Sequence, residues 1–263
     1  MAVAAQGEES AGLPATSAAG AALGAELYAP IARDEGVRIG LVGDSGTGKT
    51  TAARYLLADW ISRFPGIALV HDDTGPRQFV GQERADVAEL RRLPIAPSPR
   101  VVVFRGHQSL GIGADPEPIA GLGWRLVRRR PPTPALLLFD ELERSARGGR
   151  WNHPASCPSR RRPPLPCTCE LPRVFSWGRR SCLSCIWTTQ SPQSAPLEAL
   201  EQSSTLLVFH MAGLGLGRLR KLDYVNDQAE RAIVALPDMY SADRGAFIKL
   251  RRGVPWDGRV LKM

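Results

Sequence analysis

The chain lacks any stretch long enough to cross a membrane: apolar runs such as Ala135 to Phe139 stop at five residues, where a spanning helix needs ~18. Its first thirty residues, rich in Ala, Gly and Ser, lack the basic start and compact apolar centre of a secretory signal. They are expected to form a flexible arm, 1–30, ahead of a single domain over 31–263 in the cytoplasm. Cysteine is scarce too. All five cysteines lie between 157 and 185, and a cytoplasmic chain keeps such thiols reduced. Acidic residues run short in one place only. From Gly121 to Ser184 there are 13 arginines against 4 acids, whereas the rest of the chain has 21 Lys and Arg against 22 Asp and Glu. The formal charge of +8 therefore sits in one block, which is either a surface for a polyanion, nucleic acid first, or a solvated basic loop.

Glycine is present where it matters. Val37 to Val42 is a short apolar run, and Gly43, Asp44, Ser45, Gly46, Thr47, Gly48, Lys49 and Thr50 follow it in the pattern G-x-x-x-x-G-K-[ST]. Thr51 to Leu57 then reads as helix. A strand, a glycine turn and a helix start are the context in which backbone N–H groups wrap a phosphate, with the helix dipole aimed at it. Lys49 is then the candidate for the β- and γ-phosphates, Thr50 for Mg²⁺, and Gly43 to Thr51 for the nucleotide cradle.

The later apolar runs fall at intervals suited to an α/β sheet: Ile67 to Val70, Val101 to Phe104, Ala135 to Phe139, a run from Cys185, Thr205 to Phe209, and Ala246 to Leu250. Helices are expected over Thr50 to Phe64, Gln82 to Arg92, Ile119 to Arg129, Glu198 to Gln202 and Leu219 to Ile233, and Gly213 to Gly217 is expected to be a turn. After the second run, Asp72 or Asp73 either faces the site or belongs to an ordinary turn. Asp140 and Glu141 close the run Ala135 to Phe139. Adjacent carboxylates delivered to the sheet edge beside a phosphate loop suit a Walker B element, with Asp140 holding Mg²⁺ through water and Glu141 activating the attacking water. The run from Cys185 ends in Thr188-Thr189-Gln190, an amide placed to sense a phosphate or orient water, or else a polar strand end before Pro192.

Between Asn152 and Ser184 the composition changes. Six prolines fall between 154 and 172 around Arg160-Arg161-Arg162, a density expected to rule out an ordinary helix. Cys167, Cys169, Cys182 and Cys185 offer four thiolates for a structural Zn²⁺; free thiols, or an atypical insertion, are the alternatives.

The phosphate loop, LLLFDE and IWTTQSP together resemble the HerA/FtsK superfamily of DNA-pumping P-loop ATPases, over about Val37 to Phe209, and within it the viral genome-packaging branch. The resemblance implies a three-layer α/β/α sandwich with a mostly parallel sheet of the RecA/ASCE type. It implies ATP and Mg²⁺ as cofactors, Gln190 as sensor, double-stranded DNA as cargo, and a homo-oligomeric ring, a hexamer, docked on a capsid vertex or a membrane-associated protein. Arg179, Arg180 and Arg144 are the candidates for an arginine finger acting in trans. A P-loop nucleotide switch for virion or filamentous-phage assembly, or a conjugation or plasmid-transfer ATPase, are the alternative readings. The family has a helix with a Gly-Arg or Ala-Arg pair leading into the sensor strand; here Gly178-Arg179-Arg180 is in place, but the residues before it are the Pro-, Cys- and Arg-rich stretch.

Overall fold

The computed structural model describes residues 18–33, 35–72, 78–84, 100–105, 116–129, 132–147, 149–153, 157–158, 167–242 and 244–262. The first half comprises α1 (Ala18–Tyr28), β1 (Arg38–Val42), α2 (Lys49–Arg63), β2 (Ile67–His71), β3 (Gln82–Arg84), β4 (Arg100–Phe104), α3 (Pro116–Val127) and β5 (Ala135–Phe139). After a 3-10 turn at Leu142–Ser145 come the small hairpin β6 (Ala146–Arg147) and β7 (Arg150–Trp151), then α4 (Glu170–Trp177), a second 3-10 turn at Gly178–Ser181, and β8 (Leu183–Thr189). The chain continues through α5 (Leu197–Gln202), β9 (Thr205–Val208), α6 (Leu214–Lys221), α7 (Asp227–Val234), β10 (Ala246–Leu250) and β11 (Val260–Lys262).

Nine of these strands make one sheet in the order β11-β10-β9-β1-β8-β5-β2-β4-β3, parallel from β9 to β3 and antiparallel at β10 and β11. Its central strands are mostly apolar because both faces are covered, with polar residues such as Thr188 and Thr189 kept to the strand ends. In β5, Leu136 and Leu138 pack with α1 and α2 (Leu27, Leu56, Trp60), while Leu137 and Phe139 join Trp124, Phe175 and Ile233 on the opposite side. Each such fully buried side chain contributes roughly 1.5–3 kcal/mol relative to exposure. The result is the three-layer α/β/α sandwich with a mostly parallel sheet that the sequence implied.

Strand β8 enters between β1 and β5. Its register sets Thr189 beside Val42 and Trp187 beside Phe139, so the residues after all three strands emerge together at the carboxyl edge. Gly40 makes this pairing possible: a Cβ there would lie 2.5 Å from the Trp187 ring.

Several expectations need correction. Within the stretch expected as an arm, Ala18–Tyr28 is helical and buries Leu23, Leu27 and Tyr28, with Tyr28 Oη donating to Leu56 O at 2.8 Å. Gln82–Arg84, the start of an expected helix, is an edge strand paired to β4; the rest of that expected helix, including Val87 and Leu90, lies outside the described residues. The GLGLG segment is not only a turn, since α6 begins at Leu214. The helix expected over Leu219 to Ile233 is two. Asp223 turns left-handed at φ 60°, and the Asn226 side chain accepts from Ala229 N to start α7 afresh. The Pro- and Cys-rich stretch does hold a helix, α4, because its Pro172 stands in the first turn, where a missing N–H costs nothing.

Candidate nucleotide-binding site

The turn after β1 and the start of α2 are set by glycine. Gly48 takes φ 102°, and a Cβ there would lie 2.9 Å from Gly245 Cα, so the loop closes against the turn before β10 only without a side chain. Lys49 and Thr47 fold back on the same carbonyl: Lys49 Nζ donates to Asp44 O at 2.7 Å and Thr47 Oγ1 at 2.8 Å. Lys49 is buried, and burial lowers its pKa to about 8 against the opposing pull of Glu143, Asp140, Asp44 and Glu141. A desolvated lysine amid carboxylates binds a phosphate anion by replacing lost hydration with charge.

Asp140, the first residue past β5, is buried under the loop. Its Oδ1 accepts from Thr188 Oγ1 at 2.6 Å and lies 3.5 Å from Thr50 Oγ1. Its Oδ2 is buried with no hydrogen-bond partner among the described residues. Burial raises its pKa to about 6; the Thr188 hydrogen bond opposes this, and Asp72 and Glu141 add to it. A buried carboxylate oxygen without a donor, beside a threonine hydroxyl, is a donor set that fits a hard cation such as Mg²⁺.

Glu141 takes a left-handed backbone at φ 54°, which costs a residue with a Cβ on the order of 1 kcal/mol and is held by its neighbours. Its amide donates to Thr188 Oγ1 at 2.9 Å. The carboxylate is gripped from two sides: Oε1 accepts from Gln190 Nε2, and Oε2 pairs with Arg144 Nε at 2.6 Å. The Gln190 amide nitrogen of the main chain donates to Glu143 Oε1 at 2.8 Å, which fixes the strand end.

These groups surround a cleft of about 420 Å³. It is lined by Ser45, Gly46, Gly48, Lys49, Thr50, Thr51, Asp140, Glu141 and Gln190 from the sequence-derived set, and also by Thr188, Gln78 and Arg244. Thr188 was the residue most within reach of sequence reasoning, because it stands two residues before Gln190, and alternation carried to the end of β8 puts the two on one side. Gln78 and Arg244 carry no motif. Gly43, Asp44 and Thr47 belong to the same turn, with Lys49 and Thr47 held on the Asp44 carbonyl, whereas the remaining expected residues lie elsewhere. Arg144 is committed to Glu141 of its own chain, and the turn bearing Arg179 and Arg180 precedes β8, at the sheet edge remote from the cleft. Asp72 is buried at the end of β2 and paired with Arg105 at 3.1 Å, while Asp73 lies outside the described residues.

By sequence, no family model and no curated protein matches the chain. Solved structures do. The genome packaging NTPase B204 from Sulfolobus turreted icosahedral virus 2, in complex with ATP-gammaS, has a TM-score of 0.59 at 13% identity, covering 86% of this chain and 95% of that one. B204 from Sulfolobus Turreted Icosahedral Virus, a DNA-packaging ATPase, scores 0.55 at 12% identity over 81% and 91%. VirB4 of Thermoanaerobacter pseudethanolicus scores 0.54 at 9% identity over 86% and 89%. With β8 seated between the strand before the glycine turn and the strand before the acidic pair, the chain has the α/β fold of B204 and VirB4.

Proposed function

We propose that the chain is an ATP-hydrolysing motor that translocates double-stranded DNA, packaging a viral genome into a capsid. The observation that carries this is the contact between Gln190 Nε2 and Glu141 Oε1, an amide at the end of one strand holding the carboxylate at the end of the next. Such an amide couples the position of β8 to the freedom of Glu141, which is what a motor needs if turnover is to follow the state of its cargo.

The amides of Gly43 to Thr51 would cradle the phosphates of ATP, and Thr50 with Asp140 would hold Mg²⁺. When bound, these groups supply the phosphoanhydride to be cleaved and the cation that neutralises its oxygens. Lys49 supplies a fixed positive charge at the β- and γ-phosphates. Glu141 takes the proton of the attacking water once its ties to Gln190 and Arg144 loosen. The arginine-rich block would grip DNA through phosphates, without sequence preference. A homo-oligomeric ring, a hexamer, would suit such a motor, with Arg179 or Arg180 the candidate for a finger acting in trans. A capsid vertex or membrane-associated protein would be the dock, in the cytoplasm. The likeness to B204, a genome packaging NTPase, supports the choice of cargo.

The test is ATP turnover with and without long double-stranded DNA. Stimulation by DNA, lost in Gln190→Ala, is the expected result. Turnover indifferent to DNA would replace the motor with a nucleotide switch for virion or filamentous-phage assembly.

A further inference from the structure

Away from the cleft, four ligating side chains converge. His153, two residues past β7, meets Cys157, Cys167 and Cys169, the last being the residue that precedes α4. Nδ1 of His153 lies 3.4 Å from Cys169 Sγ, 3.5 Å from Cys167 Sγ and 3.7 Å from Cys157 Sγ. Cys157 and Cys167 are 3.7 Å apart at sulfur, and all four ligand atoms lie within 4.8 Å of one another.

These separations match a coordination polyhedron. With Zn–S near 2.3 Å and Zn–N near 2.0–2.1 Å, the edges of a regular tetrahedron are about 3.8 Å between sulfurs and about 3.6 Å from sulfur to nitrogen. A disulfide needs sulfurs at about 2.05 Å, far inside the observed distance. Hydrogen bonding alone is also a poor account, because one imidazole nitrogen has a single lone pair to share among three weak S–H donors. The backbone amide of Cys169 donates to Cys167 Sγ at 3.3 Å, the outer support that a metal-bound thiolate takes. Cys157 and Cys169 are buried, and His153 and Cys167 partly so, which leaves little access for a substrate.

We propose that His153 Nδ1 and the thiolates of Cys157, Cys167 and Cys169 bind one structural Zn²⁺. The set differs from the four cysteines that spacing offered. Cys185 is fully buried within β8, and Cys182 turns left-handed at φ 55° ahead of it, outside the group. Three thiolates and an imidazole in a closed site favour zinc over the oxygen-seeking cations. The ion ties the segment that follows Asp140 and Glu141 to the helix that feeds β8, and so braces the two strands whose ends meet at the cleft.

Metal analysis of the full chain, purified under reducing conditions without added metal, tests this. One equivalent of zinc per chain is expected. Cys157→Ser with Cys169→Ser should reduce it to background, Cys182→Ser should leave it unchanged, and a strong chelator should lower the melting temperature until Zn²⁺ is restored. Replacement of the ion by Co²⁺ should give the thiolate-to-metal absorption of a tetrahedral site, a readout that needs no variant to fold. A wild-type chain that holds no zinc and takes none up when reduced, or zinc lost from Cys182→Ser, would overturn the assignment. None of these readouts depends on nucleotide turnover.

Discussion

At four residues of the candidate site the expected effect is measurable one substitution at a time. Lys49→Ala should abolish nucleotide binding, read by calorimetric titration with a non-hydrolysable analogue; unaltered affinity would remove the site assignment. Asp140 must be ionised to hold a cation, and burial puts its folded pKa at about 6. Mg²⁺-dependent binding of the analogue should therefore weaken as pH falls through about 6, approaching tenfold per pH unit below it. Asp140→Asn should lack that limb and keep only the titration of the nucleotide. The sign for stability is the reverse of the usual carboxylate. Since the folded pKa lies above the ordinary value, this group costs the nucleotide-free fold stability above about pH 6, and the cost disappears as pH falls toward the unfolded value. Thr188 bridges Asp140 and the Glu141 amide, so Thr188→Val leaves a buried acceptor and a partly buried donor without this partner. A loss of about 1–3 kcal/mol in urea unfolding is expected, with a fall in turnover. Gln190→Ala should bind nucleotide nearly as well as wild type, yet lose DNA-coupled turnover by about tenfold or more.

At the scale of elements, α4 was the segment hardest to foresee, and its support is correspondingly non-local. Its first amides, those of Glu170 and Leu171, donate to Oε1 and Oε2 of Glu117 on α3, so a carboxylate from another helix does the work of an N-cap. Glu117→Ala should destabilise the fold by about 1–2 kcal/mol in denaturant unfolding with an unchanged slope, and an unchanged midpoint would show the cap to be idle. Arg38 Nε donates to Val174 O, which anchors the same helix to β1. Short edge elements fail in sequence for a related reason. Gln82–Arg84 has no periodicity of its own and becomes a strand because β4 offers an unpaired edge. The break between α6 and α7 was partly legible, since Asn226 is a good helix start, but apolar spacing ran on across it.

At the scale of the whole molecule, charge and strand order matter most. If the arginine-rich block grips DNA phosphates, stimulation of turnover by DNA should fall steeply between about 50 and 200 mM salt, while turnover without DNA changes little. Stimulation insensitive to salt would remove the block from the DNA path.

The glycine turn and helix start of residues 43 to 51 were legible because their geometry is local: glycine dihedrals, a helix start and a lysine in one short span require no distant contact. The acidic pair and the apolar strands were legible because burial on both sides of a parallel sheet imposes continuous apolar runs. The neighbours of β8 were not written in any single stretch. Only the sheet order brings Gln190 onto Glu141 and Thr188 under Asp140, and only the meeting of the segment after β7 with the start of α4 selects His153 and Cys157 over Cys182 and Cys185. Such contacts depend on which strands and loops lie side by side, a property of the packed chain as a whole.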